Sequence, residues 1–225
     1  MAHPVLTITS EVFQIGGSGF TDAGDAAVYL VAVGGHAALI DAGCGQSVDC
    51  LLANAAACGV RHADLNDLLI THCHFDHTGG AAALQARLGL RVVMHALDAP
   101  YVEAADPVVT AADWYGAVLQ PFCPDCLLEG DSADLRLGDR RIQAFHIPGH
   151  SPGSLAYMLE SDGRKILFGQ DVHGPLHPML KSEPAAYRQS LQLMIDLEAE
   201  VLCEGHFGII EGSHRVERFI RQYMT

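Results

Sequence analysis

The sequence predicts an α/β fold, a mixed β-sheet covered by helices. Three observations predict it. Short β-type apolar runs alternate with helical patterns, Gly-containing turns tie some runs into antiparallel pairs, and metal-competent side chains gather where apolar runs end. The β-type runs are Val5–Ile15, Val28–Ile40, Leu68–Thr71, Val92–His95, Arg141–Ile147, Leu155–Leu159, Lys165–Phe168 and Val201–Cys203. Helical patterns occupy Ser47–Cys58, the Ala-rich stretch Ala81–Leu88, Ala111–Leu119, Ala185–Leu197 and His214–Tyr223. "VGGHAAL" and "ESDGRKI" read as hairpin turns, with Gly or Asp-Gly between strands. Two segments echo each other: "HAALIDAG" is a strand ending at Asp41, and "RKILFGQD" is a strand ending at Gly169 and Asp171. The echo suits two related halves with a cleft between their strand ends. No Ser/Gly-rich linker, charge block or low-complexity tract divides the chain, so residues 1–225 read as a single domain.

Composition narrows the function. The chain is 49% hydrophobic and 18% charged, as a compact globule is. With 13 Lys+Arg against 27 Asp+Glu the formal charge is -14, a surface that repels phosphate backbones and argues against a nucleic-acid partner. "MAHPVLTITS" has no basic segment followed by an apolar one, and no run approaches the ~18 apolar residues of a membrane span. Seven cysteines form an odd, sparse set, which points to a reducing cytoplasm rather than a disulfide scaffold. Cys123 and Cys126 in "CPDC" make one CxxC, too little alone to assign zinc or redox chemistry.

The chemistry is concentrated in "LLITHCHFDHTGG". Leu68-Leu69-Ile70 reads as a buried strand, and "TGGAAALQARLG" as a turn opening a helix. Imidazole and carboxylate are good ligands for first-row divalent metals. His72 and His74, two apart on an extended segment, face one side, while Asp76 and His77 follow as the chain turns and aim differently. Two adjacent ions need such a pair of pairs. Further ligand types follow other strand-like runs: His150 in "HIPGHSPGS", Asp171 in "ILFGQDVHG" and His206 in "VLCEGHFG". By type the seven divide into His72, His74 and His150 for one ion and Asp76, His77 and His206 for the other, with Asp171 able to bridge.

The ordered set "HCHFDH", "PGHSPGS", "GQD" and "EGH" resembles the metallo-β-lactamase-fold superfamily over about Ile40 to Phe207. The resemblance implies a four-layer αβ/βα sandwich of two mixed β-sheets flanked by helices, with the metals at one edge between the sheets. It implies the same ligand division, and places Asp41 behind the ligands, orienting one of them; a ligating His commonly donates its other N–H to a carboxylate. His74 stands where flavodiiron oxygen reductases carry glutamate, and His77 with Asp171 completes a set that true β-lactamases reduce. Glyoxalase II-like thioesterases and acyl-homoserine-lactone lactonases share the full set. The chain departs from the first by Gln170, which intervenes before Asp171, and by lacking an obvious basic cluster for glutathione. It departs from the second by His173, two residues after Asp171, where the lactonases place a tyrosine nearby.

The expected function is a dinuclear metal-dependent hydrolase of a small substrate. A metal-bridging hydroxide, available because coordination lowers the pKa of water, attacks an ester, thioester, lactone or similar bond. Two divalent ions are expected, zinc first, with iron or manganese compatible by ligand type. Asp76 is the expected proton acceptor as well as a ligand, and His173 a donor to the substrate carbonyl or leaving group. His177 and Tyr187 are weaker candidates of the same kind, His146 is left out of the metal set, and Trp114 with Tyr115 is read as core. Alternatives are a mononuclear iron enzyme resembling persulfide dioxygenases, using His72, His150 and Asp171, and a metal-retaining binding protein. A homodimer is expected from the resemblance alone. Residues 97–130 and 172–190 are the long segments placed to set specificity, and the former's apolar and acidic mixture favours a partly apolar, non-polyanionic ligand.

Overall fold

A computed structural model of the chain describes residues 5–224. The first half builds strands β1 (Leu6–Thr7), β2 (Val12–Gly16), β3 (Val28–Val33), β4 (His36–Ile40), β5 (Leu65–Leu69), β6 (Arg91–His95) and β7 (Cys126–Leu128). Between them run helices α1 (Val48–Ala57), α2 (Phe75–Thr78), α3 (Ala81–Leu88) and α4 (Ala99–Glu103). The second half builds β8 (Ser132–Leu137), β9 (Arg140–His146), β10 (Leu155–Ser161), β11 (Arg164–Gln170), α5 (Pro184–Asp196), β12 (Val201–Glu204), β13 (Ile209–Glu211) and α6 (Ser213–Arg221).

Two mixed sheets result, one seven-stranded in the order β1-β2-β3-β4-β5-β6-β7 and one six-stranded in the order β13-β12-β11-β10-β9-β8. The echo seen in the sequence is a repeat of pairing. β2/β3 and β3/β4 are antiparallel and β4/β5 parallel; β9/β10 and β10/β11 are antiparallel and β11/β12 parallel. Asp41 and Asp171 thus follow the ends of matching strands, β4 and β11.

Strand periodicity sorts side chains into layers, because successive residues point to opposite faces. Tyr29, Val31, Ile40, Ile166, Phe168, Val201 and Cys203 face the space between the sheets. Their neighbours Leu30 and Leu39 face α1 and α3, while Leu167 and Leu202 face α5 and α6. The layers therefore run helix, sheet, sheet, helix. No described helix is long and apolar enough to cross a membrane.

Several expectations need correction. Ala111–Leu119 is not a helix: a single 3-10 turn, Ala112–Tyr115, is bracketed by Ala111 at φ 58° and Gly116 at φ 59°. Left-handed residues at both ends stop propagation despite the Ala-rich composition. Val5–Ile15 is interrupted between β1 and β2, and the short elements α2, α4, β7, β8 and β13 lie outside the predicted runs.

The layer between the sheets sets a measurable stability. Phe168 is fully buried, its ring 5.5 Å from that of Tyr29. Phe168→Ala is expected to cost about 3–5 kcal/mol in the metal-free protein, measured by urea unfolding; a cost below ~1 kcal/mol would contradict this packing.

Candidate metal centre

The first pair of histidines leaves β5 on extended backbone, and helix α2 begins directly after His74. One helical turn carries Asp76 and His77 away from the direction of His72 and His74. The following Gly79 and Gly80 are required by close approach: a Cβ on Gly79 would lie 2.4 Å from the Cys44 carbonyl oxygen, and one on Gly80 2.3 Å from that of Ala42. The loop after β9 brings in His150 and the ends of β11 and β12 bring in Asp171 and His206.

All seven predicted residues converge. His74 Nδ1 lies 3.0 Å from His72 Nε2 and 3.0 Å from His150 Nε2. On the other side His206 Nε2 lies 3.3 Å from Asp76 Oδ2, and His77 Nε2 lies 3.6 Å from the same oxygen. Asp171 stands between the sets. Its Oδ2 is 3.3 Å from His150 Nε2 and 3.9 Å from His72 Nε2, while its Oδ1 is 3.3 Å from His206 Nε2 and 3.2 Å from His77 Nε2.

The partners behind these rings fix which nitrogen faces inward. His77 Nδ1 is 2.6 Å from Asp41 Oδ2; a carboxylate only accepts, so Nδ1 carries a hydrogen and Nε2 is the nitrogen that offers a lone pair once the ring is neutral. His150 Nδ1 donates to the Pro175 carbonyl at 3.1 Å, with the same consequence. Thr71 Oγ1 donates to Asp41 Oδ2 at 2.7 Å and so accepts from His72 Nδ1 at 3.0 Å, again turning Nε2 inward. Among the described residues, buried His77 Nε2 and Asp171 Oδ1 have no hydrogen-bond partner. Lone pairs converging on shared points fit divalent cations, and the donor set of imidazoles and carboxylates is one such ions accept.

Asp41 is fully buried at φ 63°, a left-handed conformation that Asp tolerates better than most residues. It also takes the Thr71 N–H at 2.8 Å and the Gln170 side-chain amide. Gln170, the extra residue before Asp171, is absorbed by a register shift between Phe168 and Gln170 with φ 42°. Its insertion therefore adds a hydrogen bond to Asp41 and still delivers Asp171 to the cluster.

Two supporting carboxylates escape sequence reasoning. Asp98 accepts from Cys73 N at 3.0 Å, Ser151 Oγ at 2.6 Å and Gly153 N at 2.6 Å, tying the first histidine loop to the His150 loop. Glu204, fully buried, accepts from His173 Nδ1 at 2.8 Å, His206 N at 2.7 Å and Phe207 N at 2.9 Å. Its position in "CEGH", one residue before the turn, is the only signal it offers.

Charge divides the cluster. Burial pushes His72 well below its usual range, helped by the rings of His77, His74 and His150. Burial and then His150 take His74 down to about 3. Burial also opposes charge on His77 and His206, but carboxylates win: Asp171, Asp76 and Asp41 hold His77 well above its usual value, and Asp171 with Asp76 raises His206 to about 10. Against the cost of burial, His77, His150 and His206 hold Asp171 well below the carboxylate range.

The remaining candidates separate. His173 reaches the rim, its ring 5.0 Å from that of His206, and one of its nitrogens groups with Asp171 and His206. His177 accepts from Met179 N at 3.2 Å and meets Trp114 edge-on at 5.8 Å. Tyr187 is buried with its hydroxyl donating to the Val172 carbonyl, a packing role. His146 stacks on His95 at 3.9 Å, away from the cluster's contacts. Trp114 and Tyr115 are not core: they are 51% and 43% exposed, because the 3-10 turn lifts them onto the surface. Cys123 and Cys126 are free thiols and belong to none of the described metal-competent groups.

Comparison with known proteins agrees with this geometry. Over 138 residues the chain is 39% identical to a hydroxyacylglutathione hydrolase of Anaeromyxobacter dehalogenans, a match covering 61% of this chain and 43% of that protein. Over 175 residues it is 33% identical to the acyl-coenzyme A thioesterase MBLAC2 of Bos taurus, covering 69% of this chain and 60% of that protein. The chain thus spans about half the length of these relatives. A Cronobacter sakazakii metallo-beta-lactamase superposes with a TM-score of 0.82 at 20% identity, over 97% of this chain and 90% of that one, a likeness of fold alone. The family model described as the metallo-beta-lactamase superfamily matches residues 21–206, and the chain belongs to that superfamily.

Proposed function

We propose that the chain, as one domain, is a dinuclear metal-dependent hydrolase that cleaves an acyl bond of a small substrate, a thioester before an oxygen ester or lactone. The division of Asp171 carries this reading: one carboxylate oxygen faces each set of histidines. His72, His74 and His150 would hold one ion, Asp76, His77 and His206 the other, and Asp171 both, with zinc the first choice for such donors. The ions, when bound, supply Lewis acidity and lower the pKa of water toward neutrality. Thioester chemistry is supported by the coenzyme A thioesterase relative. Placement in the cytoplasm, inferred from the sparse cysteines, is part of the same proposal.

The chain's own groups have separate tasks. Asp41 and Thr71 lock the inward nitrogens of His77 and His72, and Asp98 clamps the two loops that carry the first set. Asp76, turned inward by α2, is the base that accepts a proton from the attacking water. His173 is held at the rim by Glu204. Its Nδ1 hydrogen is committed to Glu204, so the neutral ring offers an acceptor at Nε2, and donating there requires a second proton.

Substituting His72→Ala or Asp171→Ala should lower metal content and thioester hydrolysis together, read by elemental analysis and thiol release on the same sample. Hydrolysis retained by a verified metal-free protein would end the proposal, and one iron per chain with oxygen uptake would favour the oxygenase alternative. Asp41→Ala should weaken metal affinity by about 10–100-fold, measured by chelator competition.

Proton release gives a separate check. In the metal-free protein His77 and His206 hold protons at neutral pH, because the neighbouring carboxylates raise both. An ion entering the second set must displace them, so its apparent affinity should rise with pH between about 6 and 8, on the order of tenfold per unit per displaced proton. Calorimetry in buffers of different ionisation enthalpy counts those protons; uptake without release would contradict the assignment.

A further inference from the structure

A cavity of about 380 Å³ opens directly off the second histidine set, between the 17–27 segment and the 205–208 turn. His206 forms its inner wall, and the rings of Phe20, Tyr115 and Phe207 share the rest with Gln14, Ser18, Asp25 and small residues. Its size lies within the ~300–1,000 Å³ of small-molecule sites. Phe207 is 58% exposed, its ring 5.9 Å from that of Phe219.

Two of its polar side chains, Asp25 and Gln14, are already engaged by the protein, while Ser18 and Tyr115, which carry hydroxyls, also line it. Asp25 Oδ1 accepts from Cys44 N at 2.7 Å, and its Oδ2 accepts from the Thr21 hydroxyl and from Asp22 N at 3.1 Å. The Gln14 amide donates to the Gly16 carbonyl at 3.2 Å. No Lys or Arg lines the cavity. The wider frame repeats the pattern. Segments 17–27, 97–125, 171–183 and 205–208 together contain one Lys or Arg, Lys181, and its ammonium lies 5.7 Å over the Tyr101 ring rather than in this cavity.

We infer that this cavity is the acyl subsite and takes an uncharged, largely apolar acyl group, with Phe20, Tyr115 and Phe207 setting specificity. The inference rests on the hydrolase reading above and adds the chemistry of the substrate. Beyond the metal centre, an acyl group ending in a carboxylate would meet aromatic faces and a preoccupied Asp25, with no Lys or Arg in the cavity lining to offset its desolvation. The thiol carrier would then lie outside the cavity.

The test is a panel of thioesters sharing one thiol, N-acetylcysteamine, with hexanoyl, phenylacetyl, succinyl and glutaryl groups, given to the full-length protein with measured metal content. The neutral acyl groups should exceed the carboxylate-terminated ones in kcat/KM by at least about tenfold. Phe207→Lys should reverse that order, mainly through KM, at unchanged metal content. Should that variant unfold or lose metal, Phe20→Lys places the same charge on another wall. Turnover without preference for neutral groups, or a charge on either wall that leaves selectivity unmoved, overturns the subsite alone. No turnover of any thioester by fully loaded protein overturns the hydrolase reading and the subsite with it.

Discussion

Asp171 occupies a gap into which imidazoles point from two sides, and its two oxygens divide between them. A buried carboxylate is costly unless charge or hydrogen bonds compensate it, and a buried imidazole cluster is costly unless its rings stay neutral or find anions. Neither condition is met by packing alone. The first set avoids the cost by staying neutral, while the second pairs protonated rings with carboxylates. Everything that positions the site, from the bulge at Gln170 to the glycines after His77, serves to hold those groups at close range against their mutual penalty. Divalent cations, as proposed for both sets, would relieve it on both sides at once.

The repeated halves explain how one short chain supplies such a gap. Each half ends its parallel-paired strand in an aspartate, and the two sheets face each other so that the strand ends share an edge. The carboxylates then diverge in task. Asp41 turns back into the left-handed region and spends its lone pairs on Thr71, His77 and Gln170, whereas Asp171 keeps its own for the cluster. Aspartates at matching strand ends thus take different places, one supporting His77 and the other facing both histidine sets, and the difference is set by what lies opposite.

Legibility in the sequence follows the range of the interaction. "HCHFDH" announces itself because four ligand types fall within six residues at the end of an apolar strand, a local signal that needs no tertiary knowledge. His150, Asp171 and His206 are readable by the same rule, one strand end at a time. Asp98 and Glu204 are not, because a lone carboxylate has no spacing; their meaning arises from partners such as Gly153 and His173, far away along the chain. Errors in the fold have similar origins. "SADLRL" does alternate, but as an edge strand it buries only Leu137 fully, so β8 carries a faint pattern. The Ala-rich stretch at 111–119 has helical composition, yet backbone at Ala111 and Gly116 decides otherwise and thereby exposes Trp114 and Tyr115.

Those exposed rings connect the fold to the acidity of the chain. A formal charge of -14 disfavours close approach by anions, and the segments framing the cluster add only Lys181 in compensation. Two divalent ions would reverse the sign locally, though within a pocket whose ligands already neutralise part of that charge. Attraction for an anionic substrate is therefore short-ranged and confined to the reacting carbonyl, where it helps chemistry most. On the proposed reading, recognition farther out would fall to aromatic surface, responsive to the shape and polarity of what enters beside His206. A surface of one sign and a lip of aromatic rings thus act together: the first keeps polyanions from binding broadly, and the second selects the part of the molecule that must be held still.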